Sequence, residues 1–536
     1  MAEPLTQKTL AEGAPQNDQG SDHDPNQVSA TGQGQAQQET ATHNDQPYTV
    51  FREREKIAII LTASFLALAS PLSSAAYFPA INTLSADLHV SVSVMNLTVT
   101  AYQIFQGLAP SFIGTFSDTK GRRPAYLACF IIYLAANCGL ATQKSYAALF
   151  VLRCLQASGS SGTIALASAA VADVSTRAER GKYLGYASMG VTLGPALGPV
   201  IGGAIDQALG WRWIFWFLAI YGGFLLLVVI LLFPETCRSV VGNASVPPQR
   251  WNRTVYQMYR VARDKNGSHA GEERERWNGH EINRGSIMPP RWRPRPWNVF
   301  RIALQKEASI ILVYGGLIYA GYMMVLSTLT SELHKRYGLD SLHIGLCYLP
   351  IGVGSLTSRW TVGTLLDRNF KRHARQQGMA IVANRQQNID NFNVERARLQ
   401  ITLPFLMGSA LFLIAYGWVM NFKTSIAAPE VLLFFVGHFT TGTNTSLNTL
   451  IVDTNRESPA TATASSNLFR CLLGAGSVAV GTPLIQRIGI GWTGTFVAGV
   501  YLIGSPALLL LYMYGMGWRK ELKDRERRKE EAKVKC

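Results

Sequence analysis

The 536-residue sequence predicts an all-α polytopic membrane protein, with twelve transmembrane helices arranged as two six-helix pseudo-repeats. Three observations carry that prediction: recurring apolar runs, Lys and Arg gathered in alternate loops, and a short signature repeated in the second half of the chain. Composition agrees. Hydrophobic residues make up 48% and charged residues 16%, well below the roughly one-quarter usual in soluble domains. The mean hydropathy is +0.10. The seven cysteines lie mostly inside apolar runs without paired spacing, which excludes a disulfide framework or a metal knuckle.

The apolar runs lie near 57–79, 92–113, 125–143, 146–172, 183–206, 213–233, 308–331, 344–366, 400–420, 429–452, 463–486 and 493–515. Most approach the ~20 residues that cross ~30 Å of hydrocarbon as helix. Buried helices of a soluble core would need polar faces, and so many runs of this length lack them. Residues 1–47 hold seven acids against one Lys among Gln, Ser, Gly and Thr, so they cannot bury a core and read as a disordered tail. They have no basic start followed by an apolar stretch, so no secretory signal peptide is expected.

With the N-terminus inside, 41 of the 50 Lys and Arg fall on the cytosolic side, six outside and three within runs. This positive-inside asymmetry puts both termini in the cytosol and makes the net charge of +16 a topology signal, not a nucleic-acid footprint. The expected organisation is a cytoplasmic tail over 1–56, a six-helix bundle over 57–233, a basic linker over 234–307, a second bundle over 308–515 and a basic tail over 516–536. The halves echo one another. Gly114-Thr-Phe-Ser-Asp118 follows the second run and Gly363-Thr-Leu-Leu-Asp367 the eighth, and at the same offset Arg122 and Arg123 match Lys371 and Arg372. Parallel repeats of this kind occur in one large transporter class.

The segment Gly114-Thr-Phe-Ser-Asp-Thr-Lys-Gly-Arg-Arg-Pro124 resembles the loop signature between spans two and three of the major facilitator superfamily. Its residues read physically: Gly114 permits close helix approach, Asp118 caps or pairs with a base, and Arg122 and Arg123 anchor at an anionic leaflet. With Asp367 they are the expected conformational gate, Asp118 closing the cytoplasmic side near the start of the eleventh run in one state. The fifth run carries Gly190, Gly194, Gly198 and Gly202 at every fourth position, with Pro195 and Pro199 bending the helix. That pattern is similar to the antiporter signature of exporting members. Three further segments resemble fungal twelve-span drug:proton antiporters: Leu68-Ala-Ser-Pro-Leu-Ser-Ser-Ala-Ala-Tyr-Phe-Pro-Ala-Ile81, the set Tyr102, Gln106, Gly107 and Pro110, and Pro234-Glu-Thr-Cys-Arg238. That branch includes quinidine- and polyamine-type multidrug exporters and citrate-type organic-acid exporters, and the resemblance covers roughly residues 57–520.

Arg153 and Gln156 lie three apart on one helical face in the fourth run, with Ser160 a turn further. By position, Arg153 matches the arginine that the family associates with proton coupling. Arg359 and Arg470 are the other guanidiniums inside runs, and His438, Thr441, Thr445 and Asn448 form a polar stripe in the tenth. A charge inside a span is costly and normally faces a cavity or a partner. No Asp or Glu lies in the middle of any run, so three arginines without a counter-charge favour an anionic or strongly polarised substrate.

The function expected is plasma-membrane efflux of a small-molecule metabolite or xenobiotic by alternating access, coupled to protons as the resemblance implies. A citrate-type organic-acid exporter is the second reading. A non-transporting receptor or scaffold would not need the arginines, the polar stripe or the Pro-Gly helix. No nucleotide loop, metal cluster or nucleophile motif points to an enzyme or a cofactor. The expected partners are the substrate, protons and the lipid bilayer, with no nucleic acid, and the chain is expected to act as a monomer.

The topology generates a direct test. Asn243, Asn252 and Asn266 stand in Asn-x-Ser/Thr sequons of the linker, and a cytosolic linker leaves all three unmodified. Glycosidase-sensitive mass on the purified protein would overturn the orientation.

Overall fold

The computed structural model describes residues 49–175, 179–242, 249, 252–255, 258, 300, 302–378, 392–455 and 459–535. The Asn243 and Asn266 sequons and most of the 234–307 linker lie outside the described residues. Among the described residues every regular element is helical. α1 (Glu53–Ala67) and α2 (Ala69–Ala75) form one apolar rod, followed by the short α3 (Ile81–Asp87). Then come α4 (Val92–Lys120), α5 (Arg122–Thr142), α6 (Tyr146–Val174), α7 (Arg180–Leu209), α8 (Trp211–Leu231) and the single turn α9 (Arg238–Val241). The second half holds α10 (Lys306–Tyr337), α11 (Ser341–Cys347), α12 (Leu349–Gln376), α13 (Val394–Asn421), α14 (Ala427–Thr454) and α15 (Pro459–Lys535). α15 is two helices joined at Gly489, whose φ of 81° only glycine adopts readily.

Seven helical segments are long and apolar enough to cross a membrane: Glu53–Ala75, Arg122–Thr142, Tyr183–Leu209, Trp211–Leu231, Lys306–Tyr337, Val394–Asn421 and the double segment Thr461–Leu522. The long helices α4, α6, α12 and α14 fall outside that set. They are the ones that carry Gln103 and Gln106, Arg153 and Gln156, Arg359, and His438 with Asn448. The twelve-span reading therefore depends on four helices that fall outside this set.

The first half packs α4 and α5 against α6, α5 against α8, and α7 against the α1–α2 rod. The second packs α10 and α13 against α15 and α12 and α13 against α14. Two seams join the halves: α4 on α15, and α7 on α11 and α12. The glycine stripe explains how α7 serves both. A Cβ added at Gly190 or Gly202 would run into the Ser64 or Ala76 carbonyl oxygen. At Gly194 and Gly198 it would meet Pro71 and Ala75 at 2.5 and 2.6 Å. The opposite face of α7 is met by glycines of the second half, with Gly345 against the Pro199 carbonyl and Gly352 against Ala196.

Among the described residues the polar bonds between the halves gather at the end opposite the basic loops and reach no further than Gln106 and Asn467. There Asn96 donates to Thr482 (2.9 Å), Thr330 to the Phe78 carbonyl (2.9 Å) and Ser341 to Asp206 (2.5 Å), while Phe78 and Tyr348 stack 6.1 Å apart. Toward the basic end Gly114, Gly185 and Gly363 have nothing within 4 Å of the Cβ position. The halves meet at one end and part at the other.

Gly202→Ala is expected to push α7 off α2 and cost about 1–3 kcal/mol, read as a lower Tm in detergent. Gly185→Ala, in open space, is the control and is expected to hold or raise Tm.

Candidate functional site

Arg153, on α6, is fully buried. Its guanidinium lies between the rings of Tyr77 and Tyr102, 4.1 and 4.4 Å from their centroids. Its Nη1 donates to Gln156 Oε1 (2.6 Å), and Gln156 Nε2 donates to Asn137 Oδ1 (2.6 Å). The shared helical face of Arg153 and Gln156 is thus used in a bond between them. The rings are fixed in turn: the Tyr77 hydroxyl bonds Thr98 at 2.8 Å, and the Tyr102 hydroxyl reaches Ser160 and the Ser70 carbonyl at 3.1 Å. Two desolvated aromatic faces, each worth about 2 kcal/mol to a cation, stand where a carboxylate would. In this conformation Arg153 does not reach the opening between the halves.

Arg359 on α12 and Arg470 on α15 form the other cationic group. Neither has a carboxylate partner among the described residues. Arg470 sits over the Tyr319 ring at 5.0 Å and touches Asn467 Oδ1 at 3.5 Å. Where the seam crosses this level, Gln103 Nε2 contacts Met323 Sδ (3.0 Å) and Asn467 donates to the Gln106 carbonyl (3.4 Å). Below it an open cavity of ≈ 440 Å³ is lined by one face of α12: Arg359, Trp360, Gly363, Thr364, Asp367, Arg368 and Lys371. Trp360 is 86% exposed there. His438 bonds Thr357 (3.1 Å) and stacks on Phe405, so its ring ties α14 to α12. Thr441 donates to Ser355 (2.9 Å), and Thr445 and Asn448 continue the half-buried stripe on α14.

The basic end of the first half is a charge network. Arg122 donates to Asp118 (2.5 Å), Ser117 (2.6 Å) and Asp173 (2.8 Å). Among the described residues Asp118 makes no ion pair with α15; its partner Arg122 is in its own half. Glu235, of the Pro-Glu-Thr-Cys-Arg segment, accepts from the Arg122, Arg123, Thr236 and Cys237 backbone N–H groups and from Asn252 Nδ2, at 2.7–3.2 Å. A carboxylate there answers the partial positive charge of the α5 N-terminus. Gly121, at φ 113°, leaves room for it, since a Cβ there would collide with Glu235 Oε2. Arg123 reaches the Ile230 carbonyl (3.0 Å). Burial pushes the Cys237 thiol up, against the pull of Arg122.

The second half builds the corresponding pair differently. Asp453, at the end of α14, is held by Arg398 on α13 at 3.0 Å, not by Lys371 or Arg372. The constant offset fails beyond Asp367 because α12 runs on to Gln376, whereas α4 stops at Lys120. Asp367 lines the cavity and makes no ion pair among the described residues. Sequence reasoning left Glu235, Arg398 and the Tyr77–Tyr102 cage unassigned. A Glu just after an apolar run was a usable signal for the first; the other two depend on which helices become neighbours.

Glu235→Gln keeps one acceptor oxygen where five donors converge, so a loss of about 1–3 kcal/mol is expected as a fall in Tm. An unchanged Tm would remove Glu235 as the fastener of this end.

A family model described as Major Facilitator Superfamily matches residues 63–478. The chain is 46% identical over 485 residues to the MFS-type transporter clz19 of Cochliobolus lunatus, covering 90% of this chain and 89% of that one. It is 34% identical over 487 residues to Citrate exporter 1 of Aspergillus niger, covering 90% of each. Among solved structures, a D-xylose–proton symporter aligns with a TM-score of 0.56 at 13% identity, over 85% of this chain and 96% of that one. The human organic anion transporter MFSD10 aligns with a TM-score of 0.52 at 18% identity, over 86% of this chain and all of that one.

Proposed function

The chain belongs to the Major Facilitator Superfamily of membrane transporters, and from that premise we propose that it exports a small anionic metabolite by proton-coupled alternating access. The observation that carries the substrate class is the pair Arg359 and Arg470, two guanidiniums near the opening with no carboxylate opposite them among the described residues. Two planar forks suit a carboxylate-bearing ligand, each able to hold an oxygen pair. Their summed field attracts anions and repels cations before contact. In this reading the basic end faces the cytosol, both termini lie there, and the open cavity along α12 is the loading side of a plasma-membrane exporter. The Gly-Pro face of α7 supports exchange by letting the halves rock on closely packed backbones. Organic-acid export of the citrate type is the second reading, favoured by the 34% identity to a citrate exporter.

Arg359 and Arg470 are the first positions to test, because Arg153 is occupied by its aromatic cage. At equal surface expression Arg→Ala at either is expected to cut export of an acidic metabolite at least about tenfold, and Arg→Lys to cut it less, since the charge stays and the fork is lost. Metabolite profiling of medium from deletion and overexpression strains identifies the acid. Export of a quinidine-like cation that persists with both arginines replaced by Ala would overturn the anion reading.

A further inference from the structure

We propose that Asp206 is a proton-binding site of the gate at the end opposite the basic loops, and that a proton bound there holds this gate shut. The inference rests on the transporter reading of the chain. Asp206 ends α7 at the seam between the halves and is 7% exposed. Its partners are hydroxyls: Ser341, from the second half, donates to Oδ2 at 2.5 Å, and Thr83 lies 3.1 and 3.0 Å from its two oxygens. Among the described residues no cation pairs with it.

The charged groups on the elements around it are committed elsewhere or distant. Asp87, beyond Thr83, takes the Trp211 indole N–H and Arg212, each at 3.1 Å. Asp340 and His343 of α11 pair with each other, and Glu332 of α10 pairs with Arg336. On α6, Arg153 is caged between two tyrosines and Asp173 is paired with Arg122 at the basic end. α1 carries its charges over residues 53–56, and α12 from Arg359 onward, both away from this seam; α2 has none.

A carboxylate leaves water at a cost that hydroxyls offset poorly, and a proton removes that cost. Hydrogen count points the same way. Thr83 has one hydroxyl hydrogen and also reaches the Ala80 carbonyl at 2.9 Å. A protonated Asp206 donates to Thr83 Oγ1, which frees the Thr83 hydrogen for Ala80. An ionised Asp206 competes with Ala80 for it. When the halves part at this end, Ser341 leaves with the second half and water replaces it, which favours the ionised form. The closed gate therefore binds the proton more tightly than the open one, and acid on that face shifts the population toward closure.

The test uses the full chain in membranes, with Ser331→Cys as a reporter. Ser331 bonds Asn82 across the same seam at 3.3 Å. Labelling by an impermeant maleimide from that face is normalised to Ser425→Cys, an exposed position at the same end, and corrected for protein lacking the reporter. Between about pH 7.5 and about pH 5, within the range over which carboxyls at buried positions of folded proteins titrate, normalised labelling is expected to fall severalfold. With Asp206→Asn it is expected to be low and flat. Asp206→Ser is expected to flatten the profile too, and Ser341→Ala to raise labelling while keeping its pH dependence. A wild-type profile without pH dependence, or one retained in the Asn and Ser variants, overturns the proposal. Labelling needs no substrate, so failure to find an exported acid would count against the anion-export reading alone.

Discussion

A charge removed from water must find its compensation inside the protein, and the whole arrangement follows from where this chain places that compensation. At the basic end guanidiniums meet carboxylates: Arg122 with Asp118 and Asp173, Arg398 with Asp453, and Arg519 with Glu395. On α6 of the first half the carboxylate disappears and two tyrosine faces hold Arg153. At the opening, Arg359 and Arg470 have no carboxylate partner among the described residues. That gradation separates guanidiniums paired with carboxylates from Arg153, held between two rings, and from Arg359 and Arg470, on which the proposed substrate reading rests. Counting arginines alone would treat all three mid-helix positions alike.

Close backbone approach is the second constraint, and it sets how α7 joins the two halves. The four glycines of α7 bring it against α1 and α2, while Gly345 and Gly352 bring the second half against the other face of α7. These contacts hold because no side chain intervenes, and they leave little room for continuous deformation. On the alternating-access reading proposed above, relative motion of the halves would be a rocking about the seams, with polar bonds at one end made or broken as a set. The bonds from Thr330 to Phe78 and from Ser341 to Asp206 are such a set.

Much of this was legible in the sequence because it is local in the chain. Glycines every fourth residue necessarily share a face, and Arg153 and Gln156 three apart necessarily meet. The helical class follows from apolar length, since backbone groups in hydrocarbon must bond within their own segment. The partners of these residues were not legible. Nothing in the spacing says that Tyr77 and Tyr102, from two other parts of the chain, close on Arg153. Nor does it say that Glu235 returns to the start of α5 across 113 residues. Such pairings are decided by helix order in space, which one sequence does not print.

The repeat shows where linear comparison stops and spatial comparison begins. A fixed offset matches Gly114 to Gly363 and Asp118 to Asp367, then assigns Lys371 and Arg372 the work of Arg122 and Arg123. In space the counterpart of Arg122 is Arg398, because each sits on the third long helix of its half and bonds an aspartate closing the fourth. The separations are similar, 51 residues from Arg122 to Asp173 and 55 from Arg398 to Asp453. What the halves retain is the pairing of those two helices through one buried guanidinium; the residue that follows the second helix has changed. Asp118 is therefore engaged by Arg122, while Asp367 faces the cavity without an ion pair among the described residues. The two halves carry the same fastening, and in the second the carboxylate that matches Asp118 lines the cavity beside Arg368 and Lys371.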